Sequence, residues 1–353
     1  TETTPGFATH EGGPAVKESA EKELVRAVAC CLLWEDNFYE KGSDLASRII
    51  SLCEKVSIKF ICDLAVKARE DYKLRHAPLF LCLQLLKKKG STEDRRLIGA
   101  TIEKVIQRAD ELAELVSMYW KDGKHPLPRQ LKVGLAAAFR KFSAYSLAKY
   151  NRDGAVKLRD VLFLCHAKPK DEEQQKTWAK LIDGTLESPD TWEVELSAGK
   201  NKKETFTRLI KEKKLGYMAL LRNLRNMEES GVDRSIVIPA LNDGSKGSKA
   251  LPFRYVAAAR FAPSYAAEVS DAMLLALEGH EKLPGRTAIV IDVSGSMEAE
   301  LSGKSKMNRI DAASALAIYL REITECRVFQ FGDTCREISA HRGIGLVDAI
   351  HDN

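Results

Sequence analysis

This sequence predicts a mostly α-helical protein, a HEAT-like α-solenoid of stacked helix pairs followed by the first part of an α/β segment. Three observations carry that expectation. Through the first 285 of the 353 residues, apolar side chains recur at helical spacing in one amphipathic run after another. Breaks fall near Gly90, Gly123, Gly154 and Gly184, at intervals of 33, 31 and 30 residues, which suits stacked helix pairs although the sequence shows no internal self-similarity. At Arg286 the period changes, and TAIVIDVSGSM (287–297) reads as a short buried parallel strand ending in an acid and two small hydroxyl residues.

In chain order, Glu18 to Trp34 is amphipathic, with Leu24, Val28, Cys31 and Leu32 on one stripe. Asp44 to Lys55 and Ile58 to Asp71 repeat the pattern. After a start at Pro78, Leu79 to Leu86 is nearly all apolar and belongs inside. Further helices are expected over Thr92 to Ala109 and Glu111 to Lys121. Arg129 to Tyr150 reads as one helix whose apolar face holds Leu131, Leu135, Ala138, Phe142, Tyr145 and Leu147. A turn at Asn151 to Gly154 leads into Val156 to Cys165, which ends before Pro169. Tyr217 to Met227 offers Leu220, Leu221, Leu224 and Met227 to the core, leaving Arg222 and Arg225 either to line a cavity or to serve packing. NDGSKGSK (242–249) lacks the spacing of a phosphate-cradling loop and reads as a mobile turn. Beyond the first strand, a helix over Arg309 to Ile323 and a strand over Arg327 to Phe331 continue the α/β pattern.

Charge is unevenly spread. The stretch from Lys124 to Lys170 holds seven Lys and four Arg against Asp153 and Asp160, a local charge of +9 in a chain whose net charge is +5. Such a concentration repels itself, and a fold that keeps it has a polyanion to place there. Lys132, Arg140, Lys141, Lys149, Arg152, Lys157, His166 and Lys168 are the candidate contacts, with Phe139, Tyr145 and Tyr150 as stacking partners if exposed. Turning the chain across 151–154 should gather Lys149, Arg152 and Lys157. The same stretch also fits an ordinary basic helix pair with solvated lysines. From Arg286 on, 8 basic residues meet 10 acids, so polyanion binding belongs to the earlier part.

Composition narrows the classes further. No apolar run approaches the roughly 20 residues of a membrane-spanning helix. The polar, Gly-rich start TETTPGFATHEGGPA is unlike a signal peptide. Eight cysteines, mostly in apolar helical patterns and without CxxC spacing, read as reduced core thiols of a cytoplasmic protein. HExxH and GxSxG are absent, and VSGSM (293–297) misses the nucleophile elbow, so the expectation is a binding protein and not an enzyme.

Several motifs in one order sharpen the reading. RQLKVGLAAAFRKF (129–142), LAKY (147–150), KLRDVLFLCHAKP (157–169), GYMALLRNLRNM (216–227) and LPFRYVAAARF (251–261) together resemble the TROVE module of the Ro ribonucleoprotein family. That resemblance implies a solenoid closed into a monomeric ring over residues 1–285, holding small noncoding, Y-like RNA on a basic outer surface and single-stranded RNA ends in its lumen. It implies RNA contacts for Lys149 and His166. Where family members can carry an Arg four residues after that Lys, this chain has Asp153, and the contact is either lost or taken over by the neighbouring Arg152. Residues 286–353 resemble the first part of a von Willebrand factor A domain, whose metal-ion-dependent adhesion motif corresponds to Asp292, Ser294 and Ser296. Three such oxygens suit Mg²⁺, with waters and a partner's carboxylate completing the shell. The motif's usual Thr is replaced by Ile344, which leaves a vestigial turn as the competing reading.

Function follows as an expectation: an RNA-binding protein acting in RNA quality control or as the tether of a nuclease, with an exoribonuclease as a possible partner of the α/β part. The competing class is a metal-dependent protein-interaction adaptor that presents Mg²⁺ from the Asp292 turn. RNA binding weakens with salt and ignores chelators; metal-mediated protein binding does the reverse.

Overall fold

The computed structural model describes residues 18–30, 42–301, 307–339 and 341–351. It is mostly helical, and its contacts divide it after Pro189 into two compact units. The expected apolar positions Cys31 and Leu32 lie outside the described residues.

The first unit begins with α1 (Ala20–Ala29), α2 (Gly42–Lys55), α3 (Ile58–Glu70), α4 (His76–Lys87) and α5 (Thr92–Val105). It continues with α6 (Asp110–Tyr119), α7 (Arg129–Phe139), α8 (Ala144–Tyr150), α9 (Leu158–Cys165) and α10 (Glu172–Asp183). Alternate helices are neighbours: α1, α3, α5, α7 and α9 follow one another in one layer, and α2, α4 and α6 in the other. This two-layer stacking is the solenoid pattern that the break spacing predicts. Serine starts many of the turns of the stack, with Ser19, Ser57, Ser91 and Ser143 each accepting a bond from a backbone N–H of the helix that follows. Helix α4 is apolar on nearly all sides because helices surround it: Leu79, Leu81, Cys82 and Leu85 are fully buried. Between α5 and α7 the backbones meet at Gly99 and Gly134. A Cβ on Gly134 would lie 2.7 Å from the Gly99 carbonyl oxygen.

Two expectations need correction here. Arg129 to Tyr150 is two helices, because Ser143 caps a fresh start by accepting from the Ser146 N–H at 3.3 Å and the chain turns at 140–143. The thiols are not all interior: Cys53, Cys62, Cys82 and Cys165 are buried, whereas Cys30 and Cys335 are exposed.

The second unit starts with α11 (Trp192–Ser197), α12 (Lys202–Lys211), α13 (Tyr217–Glu229), α14 (Arg234–Ser245), α15 (Pro252–Phe261) and α16 (Ala266–Leu277). Then come β1 (Arg286–Asp292), α17 (Arg309–Ile323), β2 (Glu325–Phe331), β3 (Cys335–Glu337) and α18 (Ile344–His351). The first half of the NDGSKGSK stretch closes α14 instead of forming a loop, since Ser245 is buried and donates to the Asn242 carbonyl at 2.7 Å. Strand β1 pairs in parallel with β2, Ile289 opposite Val328, and α17 makes the crossover; β3 adds antiparallel. One core runs through these helices and the sheet. Its polar anchor is the fully buried Asp311, which accepts from the Asn308 N–H at 3.0 Å in a capping box and meets Arg260 of α15 and His351 of α18.

Candidate nucleic-acid interface

Part of the basic stretch is gathered at one end of the first unit. The three parallel neighbours α5, α7 and α9 end there, and α6 and α8 begin there. Helix C-termini carry unpaired carbonyls and partial negative charge, which favours cations at this end before any ligand is considered. Lys141 serves that need, donating to the carbonyls of Glu103 and Ile106 at the end of α5. Burial of its ammonium holds the pKa below the ordinary lysine value. Arg140 donates from Nε to the Lys168 carbonyl at 2.9 Å, and its own carbonyl accepts from the Gln174 amide at 3.0 Å. These bonds tie the end of α7 to the segment after α9.

A buried pair fixes the neighbouring corner. Arg69 donates from Nη2 to Glu111 at 2.6 Å, while the other Glu111 oxygen accepts from the backbone N–H groups of Gln107 and Arg108 at 2.8 and 3.0 Å. Burial pushes the Glu111 carboxyl up, against the pull of Arg69 and of the two backbone donors. The Arg108 backbone is thereby held, and its guanidinium, bonded to Asp110 at 3.1 and 2.7 Å, lies 4.7 Å from the ring centroid of Tyr150. Lys149 stands 5.8 Å from the same ring and 5.9 Å from that of Tyr145. Arg108 was invisible to sequence reasoning, because it lies 42 residues from Tyr150 and outside the basic stretch.

The remaining candidates divide. His166 caps α9 in the left-handed region, φ 54° and ψ 41°, with its backbone N–H on the Phe163 carbonyl at 3.2 Å. Its imidazole is exposed and has no hydrogen-bond partner among the described residues. Lys168 and Arg152 are exposed, and Lys132 is half-buried on α7. Lys157 is at the opposite end of α9 from His166, about 13 Å away along the helix. Its ammonium pairs with Asp153 at 2.6 Å, and that bond holds the Asp153 carboxyl below its usual range. Of the three rings, Phe139 is fully buried, edge-on against Trp178 at 5.4 Å; Tyr150 is half-buried; Tyr145 is 50% exposed.

In the second unit, the Asp292 turn gathers the oxygens its sequence promised. Asp292 Oδ1 accepts from the Ser294 N–H at 2.9 Å, and the hydroxyls of Ser294 and Ser296 are 3.3 Å apart. Hydrogen bonds from Ser294 hold the Asp292 carboxyl low and keep it ionised. This set fits a hard cation in part: three small oxygen donors, one of them charged, sit together at the end of a strand. Ile344 begins α18 with an aliphatic side chain and contributes no donor. Among the described residues, no group of three or more His, Cys, Asp or Glu could hold a metal.

Residues 184–262 match the family profile of the TROVE domain. The matched segment runs from the end of α10 through α15, so it follows the basic stretch in sequence without including it. The structure is similar to the crystal structure of the Deinococcus radiodurans Ro (Rsr) protein, with a TM-score of 0.65 at 18% identity. The match covers 94% of this chain and 79% of that one, and at this identity it speaks for the fold. No curated protein sequence matches.

Proposed function

We propose that this chain is an RNA-binding protein of the Ro type. It holds small structured, Y-like noncoding RNA by its phosphates at the basic end of the first unit, with Lys149, Arg152, His166 and Lys168 as the principal contacts and Arg108 and Arg140 beside them. One observation carries this reading: Arg108 and Lys149, distant in sequence, meet at the Tyr150 ring, and Arg140 ties the end of α7 to the segment after α9 that carries Lys168. The TROVE match and the motif order support the wider reading of a monomeric ring whose cavity takes single-stranded RNA ends, in cytoplasmic RNA quality control or as a nuclease tether. Mg²⁺ on Asp292, Ser294 and Ser296 is an accessory in this reading. In the alternative it is the centre of a protein-interaction adaptor, which the gathering of those three oxygens favours.

The test is binding of a hairpin RNA with a single-stranded 3′ tail across a salt series, with and without EDTA. Wild-type affinity should fall steeply with salt, and Lys149→Glu/His166→Ala should lose binding and flatten the slope, by about one unit per phosphate contact removed. Asp292→Ala and EDTA should leave RNA binding unchanged. Asp153→Asn, which releases Lys157 from its pair, should tighten binding and steepen the slope. Absence of salt-sensitive binding in the wild type refutes the proposal and turns attention to protein partners of the Asp292 turn.

A further inference from the structure

Helix α9 turns Leu158, Val161, Leu162 and Cys165 into the core and leaves a row of three residues outside: Arg159, Phe163 and His166. Arg159 and Phe163, spaced i and i+4, lie one above the other on the helix surface, and His166 follows as its cap. Phe163 is 58% exposed, more than any other aromatic ring among the large exposed hydrophobic residues. No ring or cation covers it within the described residues, whereas Tyr150 is covered by Arg108 and Lys149. Arg159 reaches its nearest acid, Asp160, only at 3.8 Å. His166 holds a left-handed conformation that a glycine would adopt without strain, so the backbone gains nothing from carrying an imidazole there. A bare aromatic ring between two cationic or protonatable groups, on a helix joined to the basic end, has the makings of a stacking platform flanked by phosphate contacts.

We infer that Phe163 stacks on an unpaired nucleobase of the bound RNA, a bulged or looped-out base next to a helix, with Arg159 and His166 on the flanking phosphates. This rests on the RNA-binding reading and adds a preference to it: paired bases hide their faces inside the duplex, so only RNA with an unstacked base can use the ring. Charge complementarity decides against a purely apolar partner, since the ring has a potential cation on each side along the helix.

The probe is a hairpin RNA carrying one bulged 2-aminopurine, compared with the same hairpin fully paired. Wild type should prefer the bulged RNA and change its fluorescence on binding. Phe163→Ala should weaken binding of the bulged RNA roughly five- to one-hundred-fold, should spare the paired RNA, and should leave the salt slope unchanged. Phe163→Trp should restore the preference. Because the ring is exposed, an unchanged melting curve for Phe163→Ala separates loss of the platform from loss of fold. Salt-sensitive RNA binding that is indifferent both to the bulge and to Phe163→Ala, or an equal loss on both RNAs, overturns this inference while leaving the RNA-binding reading standing. No RNA binding by the wild type overturns both.

Discussion

Replacing Glu111 with Ala should destabilise the first unit by about 3–5 kcal/mol. The carboxylate is wholly buried and accepts three bonds, from Arg69 Nη2 and from the Gln107 and Arg108 N–H groups. Without it, a guanidinium whose side chain is only 9% exposed keeps its charge with no counterion, and two backbone donors are orphaned. Removing one partner of a buried pair costs far more than exchanging both for apolar groups of similar shape. The double variant Arg69→Met/Glu111→Leu should therefore be the more stable of the two although it carries more changes. Its recovery should be incomplete, leaving about 1–3 kcal/mol, because Arg69 also satisfies the carbonyls of Val105 and Leu74, each at 3.1 Å. Urea unfolding followed by tryptophan fluorescence and far-ultraviolet circular dichroism reads both values, since Trp120 and Trp178 belong to this unit. At about 2–4 °C per kcal/mol for a unit of this size, the single variant should melt roughly 6–20 °C lower. A loss below about 1 kcal/mol, or a double variant no better than the single, would refute the reasoning. RNA binding supplies a second readout, because the same carboxylate fixes the Arg108 backbone.

Gly134→Ala should cost about 1–3 kcal/mol by overpacking, since its Cβ would lie 2.7 Å from both the Gly99 carbonyl oxygen and the Ile102 Cβ. Denaturant titration measures it, and a neutral result would mean that α5 and α7 are free to separate. Asp190→Asn should flatten the acid side of the stability profile. Hydrogen bonds from Arg208 and Lys214, at 2.7 to 3.0 Å, hold this carboxyl well below its ordinary value in the folded chain. The unfolded chain then binds the proton first, so the contribution is complete above about pH 4 and disappears as pH falls below it. The network is partly exposed, so the effect should be small and should shrink further in high salt. Melting temperatures from pH 2 to 6 test the sign.

Local chemistry was enough to read some of the helices of this protein, and the reason lies in their termini. Helix α17 has the predicted limits, Arg309 to Ile323, because Asn308 and Asp311 form a reciprocal cap that acts within four residues. The strand after Arg286 was legible from the change of period, and its parallel pairing from the helix that must cross between β1 and β2. Ser143 was legible in principle as a cap, yet the apolar stripe on both sides of it masked the break between α7 and α8. For the candidate site, composition determined that cations would be concentrated between Lys124 and Lys170. Which of those cations face outward was decided by tertiary structure alone. Lys141 and Lys132 are alike in sequence, but only Lys141 meets the end of α5, 35 residues away, because α5 and α7 lie side by side. Arg108 reaches Tyr150 and Phe163 stands bare for the same reason: what a side chain touches depends on neighbours that are remote along the chain, and periodicity tells only which face of its own helix it occupies.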